Sequence, residues 1–142
     1  MNSPMRPLGD LNAAMRDLDL SADKIRSLLD EGKLIGFNIA VKETTRKNLR
    51  VLTRSIEHYR ETGGKESLLL EWPEIFSLIL PGEKLFVRST IIQRSLNCDR
   101  EHVQNLIRAG FFSVSKKGRR GHDGSAMVTR QSFEAFLKGR LQ

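Results

Sequence analysis

Cysteine is nearly absent from this chain of 142 residues, which contains Cys98 alone. A single cysteine cannot form a disulfide within the chain, nor can it supply a zinc site made of cysteine ligands. The three histidines, His58, His102 and His122, have no metal-ligand spacing with one another or with Cys98. We therefore expect no metal site, and we expect the protein to reside in a reducing cytosol.

Long apolar runs and catalytic motifs are also missing. No stretch is long enough to span a membrane, and the N-terminus lacks the hydrophobic core of a secretory signal. The chain contains neither the glycine-rich sequence of a nucleotide-binding P-loop nor clustered carboxylates for a catalytic metal. These absences predict a cytoplasmic protein that does not contact a membrane, is not an enzyme and needs no cofactor.

Positive charge is in excess. The formal net charge is +7 and the isoelectric point is near 10.0. Residues 1–66 contain 12 Lys and Arg and 10 Asp and Glu, whereas residues 67–142 contain 12 and 7. This balance favours an anionic partner, although charge alone does not distinguish binding to nucleic acid from binding to a membrane surface or from a contribution to solubility alone.

The chain repeats one pattern of residues. Residues 18–32 are matched by residues 96–110 at a constant offset of 78 positions. Further on, residues 52–59 are matched by residues 128–136, with an offset of 76 and then 77. An internal duplication is the simplest explanation, and two copies of a small unit suggest a protein that grips an elongated partner.

The second copy predicts two helices joined by a tight turn. Ser89 is the expected N-cap of the first helix, and Asn97 suits the turn because Asn tolerates a left-handed backbone. Asp99 is the expected N-cap of the second helix, which should end at Gly110. Cys98 should pack inward from the turn.

The first copy predicts the same elements. Its first helix is expected over residues 10–18 and its turn at Asp19. Its second helix should be capped by Ser21 and should end at Gly32. Both copies therefore have the pattern of a helix-turn-helix.

A β-hairpin and a closing helix are predicted after each helix-turn-helix. The strands of the hairpins are expected at 34–41 with 48–52, and at 111–115 with 126–129. A hairpin in this place is called a wing. Closing helices are expected over residues 53–61 and 132–141.

This order of elements resembles the excisionase-like winged helix-turn-helix family, which is similar in fold to the DNA-binding domain of mercuric-resistance-type regulators. The resemblance covers residues 8–61 and 85–141. The first copy departs from the pattern in lacking a clear opening strand, since Pro4 and Pro7 crowd its start. The resemblance implies double-stranded DNA as the partner. It also implies a nucleoid-associated role in transcription regulation or DNA recombination, where such a protein acts as an architectural or directionality factor.

The expected fold is α+β and mainly helical. It has two tandem winged helix-turn-helix units, at residues 1–62 and 85–142, joined by a short apolar segment at 63–84. We expect a short helix in this segment that packs between the units through Leu69, Trp72, Phe76 and Ile79. The alternative is that residues 68–80 form an interface for a protein partner or for self-association.

The second helix of a helix-turn-helix places its exposed side chains against base edges in the major groove. In the second copy that face carries side chains able to pair with guanine, adenine and cytosine. These are Arg100, Glu101, Gln104, Asn105 and Arg108. In the first copy the corresponding candidates, Lys24, Arg26 and Ser27, lie among acidic residues, which leaves open whether that helix contacts DNA at all.

The two wings supply the remaining DNA-binding candidates, because Arg and Lys on a wing can follow the phosphate backbone or enter the minor groove. The first wing carries Lys42, Arg46, Lys47 and Arg50. The second wing carries Lys116, Lys117, Arg119, Arg120 and His122. The alternative for both wings is a solvated loop.

The sequence therefore predicts sequence-specific recognition of duplex DNA by the tandem units. The alternative is an adaptor that binds DNA through the second unit. In that case the first unit and residues 68–80 bind a protein partner.

Overall fold

The computed structural model describes residues 6–42, 46–115 and 126–142, which form an α+β fold. Seven helices and five short strands lie within these ranges. The α+β class predicted from the sequence is therefore confirmed.

The described part of the first half, residues 6–42 and 46–62, contains three strands and three helices. In chain order they are β1 (Leu8–Asp10), α1 (Leu11–Leu18), α2 (Ala22–Asp30), β2 (Gly36–Asn38), β3 (Leu49–Leu52) and α3 (Thr53–Thr62). The strands form an antiparallel sheet in the order β1-β3-β2.

A short helix and the second half, residues 85–142, follow. The helix is α4 (Trp72–Ile79). The second half contains β4 (Phe86–Arg88), α5 (Ser89–Leu96), α6 (Arg100–Arg108), β5 (Met127–Thr129) and α7 (Arg130–Gly139). Strands β4 and β5 pair antiparallel, and Val114 adds a single bridge to Val128 where a full strand was expected.

Strand β1 corrects the expectation that the first half lacks an opening strand. Pro7 lies immediately before the strand, and its carbonyl oxygen accepts a hydrogen bond from the Thr53 amide at 2.9 Å. Proline lacks only the amide donor, so it is tolerated at the start of an edge strand. In the second half, Arg88 is the N-cap of α5 in place of Ser89, because β4 runs directly into the helix.

The turns between α1 and α2 and between α5 and α6 are the same. Asp19 and Asn97 both adopt the left-handed conformation, with φ of 53° and 54°. The side chain of Ser21 accepts a hydrogen bond from the third amide beyond it, and the side chain of Asp99 does the same. Both turns form as the sequence predicts.

The two halves also correspond in their strand pairing. This pairing corrects the expected alignment of residues 52–59 with residues 128–136. Leu8 pairs with Leu52 in the first half, and Phe86 pairs with Thr129 in the second. Leu52 therefore corresponds to Thr129, not to Val128, and the offset from that point is 77 positions. The expected offset of 76 was wrong by one residue because it was fitted to side-chain type, whereas strand register decides which residues correspond.

Side chains alternate between the two faces of a sheet. In the sheet of the first half both faces carry apolar side chains, and each face packs against its own core. Leu49 and Val51 face a core formed with α1, α2 and α3. Leu8, Phe37 and Leu52 belong to a second core that includes α4 and the second half.

Helix α4 contributes to this shared core as predicted, but only in part. Ile79 is buried in it, and Trp72 and Phe76 pack against it half-buried. The ring centroid of Trp72 lies 6.3 Å from that of Phe37. The expectation for Leu69 was wrong, because Leu69 is 88% exposed on the irregular segment that precedes the helix.

The last residues of the chain join the sheet of the first half. Leu141 forms a β-bridge with Phe37, and the Asn38 amide donates to the Arg140 carbonyl oxygen at 2.9 Å. The Gln142 amide donates to the Gly36 carbonyl oxygen at 2.9 Å. The two halves are therefore linked by main-chain hydrogen bonds as well as by the shared core.

Candidate nucleic-acid interface

Helix α6 carries the candidates for base recognition in the second half. Its inner side is fixed by Val103 and Leu106, which are buried. Its first turn is capped by the Asp99 carboxylate, which accepts from the His102 amide at 2.8 Å. The candidates lie on the rest of its surface: Arg100, Glu101 and Arg108 are exposed, and Gln104 and Asn105 are half-buried. The structure thus brings the five together on one helix.

One side of α6 lies against the first half. A depression of about 470 Å³ is lined by Val41, Lys42, Asn105, Arg108 and Ala109. The Arg108 guanidinium donates to the Asn105 side-chain oxygen at 3.0 Å. The base of the first wing and the end of α6 therefore form one surface that includes two of the predicted cations.

His102 belongs to the same junction. Its Nε2 atom lies 2.5 Å from the Ile39 carbonyl oxygen, at hydrogen-bonding distance. His102 thus connects α6 to the end of β2, a contact that no local pattern of residues predicts.

On helix α2, two of the three candidate side chains lie beside acidic side chains. Lys24 and Arg26 are exposed, and Ser27 is half-buried. The Arg26 guanidinium lies 3.3 Å from Asp23, and the Ser27 hydroxyl lies 3.5 Å from Glu31. An exposed ion pair of this kind contributes little to stability, but Asp23 and Glu31 place negative charge beside Arg26 and Ser27.

Four candidates of the first half meet in one depression of about 510 Å³, which we call the wing depression. They are Arg26, Arg46, Lys47 and Arg50. The start of α1, including Asp10, closes the depression on the side of β1. Arg46 and Lys47 are exposed, so this depression is basic and open to solvent.

Arg50 differs from the other wing candidates because its side chain is half-buried and points to the second half. Its Nε donates to the carbonyl oxygens of Leu96 and Asn97, both at 3.0 Å. Its Nη1 donates to the Asn48 side chain at 2.7 Å. Burial lowers the pKa of the Arg50 guanidinium. Arg50 therefore ties β3 to the turn between α5 and α6.

The candidates of the second wing lie outside the described residues. They are Lys116, Lys117, Arg119, Arg120 and His122. The described residues on either side are joined by two hydrogen bonds, from the Ser115 amide to Met127 at 2.9 Å and from the Thr129 amide to Ser113 at 2.8 Å.

A second polar depression, of about 500 Å³, lies between the halves, and we call it the junction depression. Its lining includes Arg6, Arg50, Thr90, Gln93, Arg94 and Asp99. Arg6 and Arg94 were not predicted as site residues, because neither lies on a second helix or a wing. The available signal was the repeat, since Arg94 occupies in α5 the place that Arg16 occupies in α1.

Cys98 also lines the junction depression, and it packs half-buried against the shared core. Burial is the main cause that raises the pKa of its thiol to about 11. The thiol is therefore protonated at neutral pH, as expected of a packing residue and not of a nucleophile.

Neither a metal-binding cluster nor a membrane-spanning helix is found within residues 6–42, 46–115 and 126–142. No group of three or more His, Cys, Asp or Glu side chains there is arranged to hold a metal ion. No helix within the same ranges has the length and apolar character needed to cross a membrane.

Comparison with known proteins gives no match among protein-family models, curated proteins or solved structures.

Proposed function

We propose that this chain recognises duplex DNA through two tandem winged helix-turn-helix units and catalyses no reaction. The observation that carries the proposal is the repeated geometry of the two halves. In each, a left-handed residue ends the first helix, and a side-chain cap opens a second helix that is apolar on its inner side. A helix presented in this way is suited to enter the major groove.

The charge of the surface supports the same function. Arg100 and Arg108 are exposed on α6, and Arg46 and Lys47 are exposed beside the first wing. Phosphate contacts by such side chains would supply most of the affinity, and side chains on α6 would supply the sequence preference.

The junction between the halves bears on the form of the recognised site. The Arg50 hydrogen bonds, the Leu141 bridge and the shared core hold the halves in a fixed relation. A rigid pair of unlike units would read two unlike half-sites at one spacing, whereas a symmetric dimer needs a palindrome. A role in transcription regulation or DNA recombination, in the cytoplasm at the nucleoid, remains part of the proposal and rests on the family resemblance alone.

An adaptor is the second candidate, and one surface favours it. A groove of about 610 Å³ is lined by Leu68, Leu70, Pro73 and Leu78 together with polar neighbours. Leu78 is 38% exposed, and the neighbouring Leu69 also faces solvent. This groove would bind the partner protein while the second half binds DNA.

Selection of duplexes from a random pool tests the proposal, followed by titration of the selected duplex at several salt concentrations. Recovery of two unlike motifs at one fixed spacing, bound with a strongly salt-dependent affinity, is the expected result. One short motif would favour the adaptor. Binding that does not depend on salt, or no binding, would contradict both.

A further inference from the structure

The wing depression and the junction depression meet at Arg50, which lines both. One basic surface therefore extends from Arg46 and Lys47 in the first half, past Arg50, to Arg94 in the second half. This surface crosses the boundary between the halves.

The acidic side chains of this surface are already engaged. The Asp10 carboxylate accepts from the Ala13 amide at 2.8 Å, and the Asp99 carboxylate accepts from the His102 amide at 2.8 Å. Each is the N-cap of a helix, where the partial positive charge of the helix end offsets the carboxylate. The arginines thus determine the sign of the local potential.

The arginines of the junction depression have guanidinium N–H groups that make no hydrogen bond within the described part of the chain. Arg94 is exposed, and within the described part of the chain its side chain makes no hydrogen bond or ion pair. Arg6 is exposed and makes one long contact, from Nη1 to the Arg94 carbonyl oxygen at 3.4 Å. Arg50 uses Nε and Nη1 for its hydrogen bonds, which leaves Nη2 unengaged in the same part of the chain.

We propose that the junction depression binds a phosphodiester group of the DNA backbone. Arg6 and Arg50 from the first half and Arg94 from the second would donate to the phosphate oxygens, and Thr90 and Gln93 add neutral donors. The identity of the ligand rests on the proposed function, whereas the existence of an anion site does not. A phosphate held by both halves would fix the DNA at the junction and so set the spacing of the half-sites.

The repeat supplies a matched control. Arg16 lies 78 positions before Arg94, and both are exposed in the last turn of the first helix of their half. Arg16 does not line the junction depression. Arg94→Gln and Arg16→Gln therefore remove the same charge from equivalent helix positions, inside and outside the proposed site.

The first experiment uses inorganic phosphate as the probe and thermal unfolding as the readout, against chloride at equal ionic strength. Phosphate stabilises folded proteins in general, so the difference between variants is the signal. Arg16→Gln should keep the full rise in midpoint of the parent protein, and Arg94→Gln should lose part of it. If phosphate raises the unfolding midpoints of the two variants equally, the proposal of an anion site in the junction depression is overturned. The midpoints in chloride show that both variants are folded.

The second experiment titrates a duplex at several salt concentrations. Arg94→Gln should reduce the slope of log affinity against log salt by about 0.9, and Arg16→Gln should leave it unchanged. If the parent protein binds no duplex, the proposed function fails, and the phosphate experiment still decides the anion site. If the parent binds duplex and Arg94→Gln keeps its slope, the function stands and the assignment of the site to the DNA backbone is overturned.

Discussion

The guanidinium of Arg140 donates a hydrogen bond of 2.6 Å to the carbonyl oxygen of Ala40, 100 residues earlier in the chain. It also donates to the Asn38 carbonyl oxygen at 3.1 Å, and it lies 4.7 and 4.9 Å from the ring centroids of Phe111 and Phe136. The side chain is only 2% exposed. A buried cation thus links the last helix to the base of the first wing.

Replacing Arg140 by Met should destabilise the protein by about 2–5 kcal/mol. Each buried carbonyl left without a donor costs about 1–3 kcal/mol, and the loss of the cation–π contacts adds to this. The free energy of unfolding in urea measures the effect. Lys138→Met, at an exposed position of the same helix, is the control and should cost less than about 1 kcal/mol. An Arg140→Met protein as stable as its parent would contradict this account of the junction.

The segment between the halves offers a paired test of packing. Ile79→Ala should cost about 2–5 kcal/mol, because Ile79 is fully buried in the shared core and its truncation leaves a cavity. Leu69→Ala should cost less than about 0.5 kcal/mol, since the Leu69 side chain faces solvent. Chemical unfolding of both variants checks the prediction. Similar losses in the two variants would show that the segment around Leu69 is packed in solution.

Local rules were sufficient to predict the turns and caps. Asp19 and Asn97 end their helices because a short polar side chain tolerates the left-handed backbone, and Ser21 and Asp99 cap the next helices through bonds to nearby amides. These features depend on a few neighbouring residues. A single sequence therefore contains the information that fixes them.

The junction between the halves could not be predicted in the same way. The contacts of Arg50 with Leu96 and of Leu141 with Phe37 depend on how two folded halves dock, and no local pattern encodes that arrangement. Arg50 was expected to contact DNA because it is one of the basic residues of the first wing. The sequence could not reveal that the side chain turns towards the other half.

Ser55 and Ser132 hold equivalent places in the two halves but differ in burial. The Ser55 hydroxyl donates to Leu52 at 2.7 Å and accepts from the Ile35 amide at 3.1 Å. The Ser132 hydroxyl does the same with Thr129 and with the Ser113 amide, at 2.9 and 3.0 Å. Each hydroxyl therefore joins a closing helix to an equivalent residue, Ile35 immediately before β2 in the first half and Ser113 immediately before the Val114 bridge in the second.

Replacing Ser55 or Ser132 by alanine should lower the free energy of unfolding by different amounts. Ser55→Ala should cost about 1–3 kcal/mol, because Ser55 is fully buried and the amide it serves would lose its partner. Ser132→Ala should cost less, since Ser132 is half-buried and water can replace the hydroxyl. Unfolding free energies of the two variants decide the matter, and a larger loss for Ser132→Ala is the outcome that would contradict it.

The raised pKa of the Cys98 thiol predicts how the stability of the protein depends on pH in the alkaline range. Burial raises the pKa of the folded thiol to about 11, above the ordinary cysteine pKa of 9.0 that applies to the unfolded chain. Between these values the folded protein keeps the thiol proton and the unfolded chain loses it. The stabilisation from Cys98 is therefore complete below about pH 9 and is lost as the pH rises towards 11. Parent and Cys98→Ala proteins compared over this range isolate the effect, because all other groups titrate in both. Thiolate absorbance gives the folded pKa directly, and an apparent pKa near 9 would refute the prediction.

Gln104→Ala and Arg108→Ala should change the sequence preference of the protein more than its total affinity for DNA. A good contact to a base edge discriminates by about 1–3 kcal/mol, or roughly 5- to 150-fold, whereas most of the affinity comes from phosphate contacts. Arg26→Ala is the matched control, because Arg26 occupies in α2 the place of Gln104 in α6 and lies beside Asp23. It should leave the preference at the base pairs that the α6 variants affect nearly unchanged. Competition between the selected duplex and variants with single base changes measures the preference. If both α6 variants retain the discrimination of the parent, then α6 does not read the bases and the second half binds DNA by another surface.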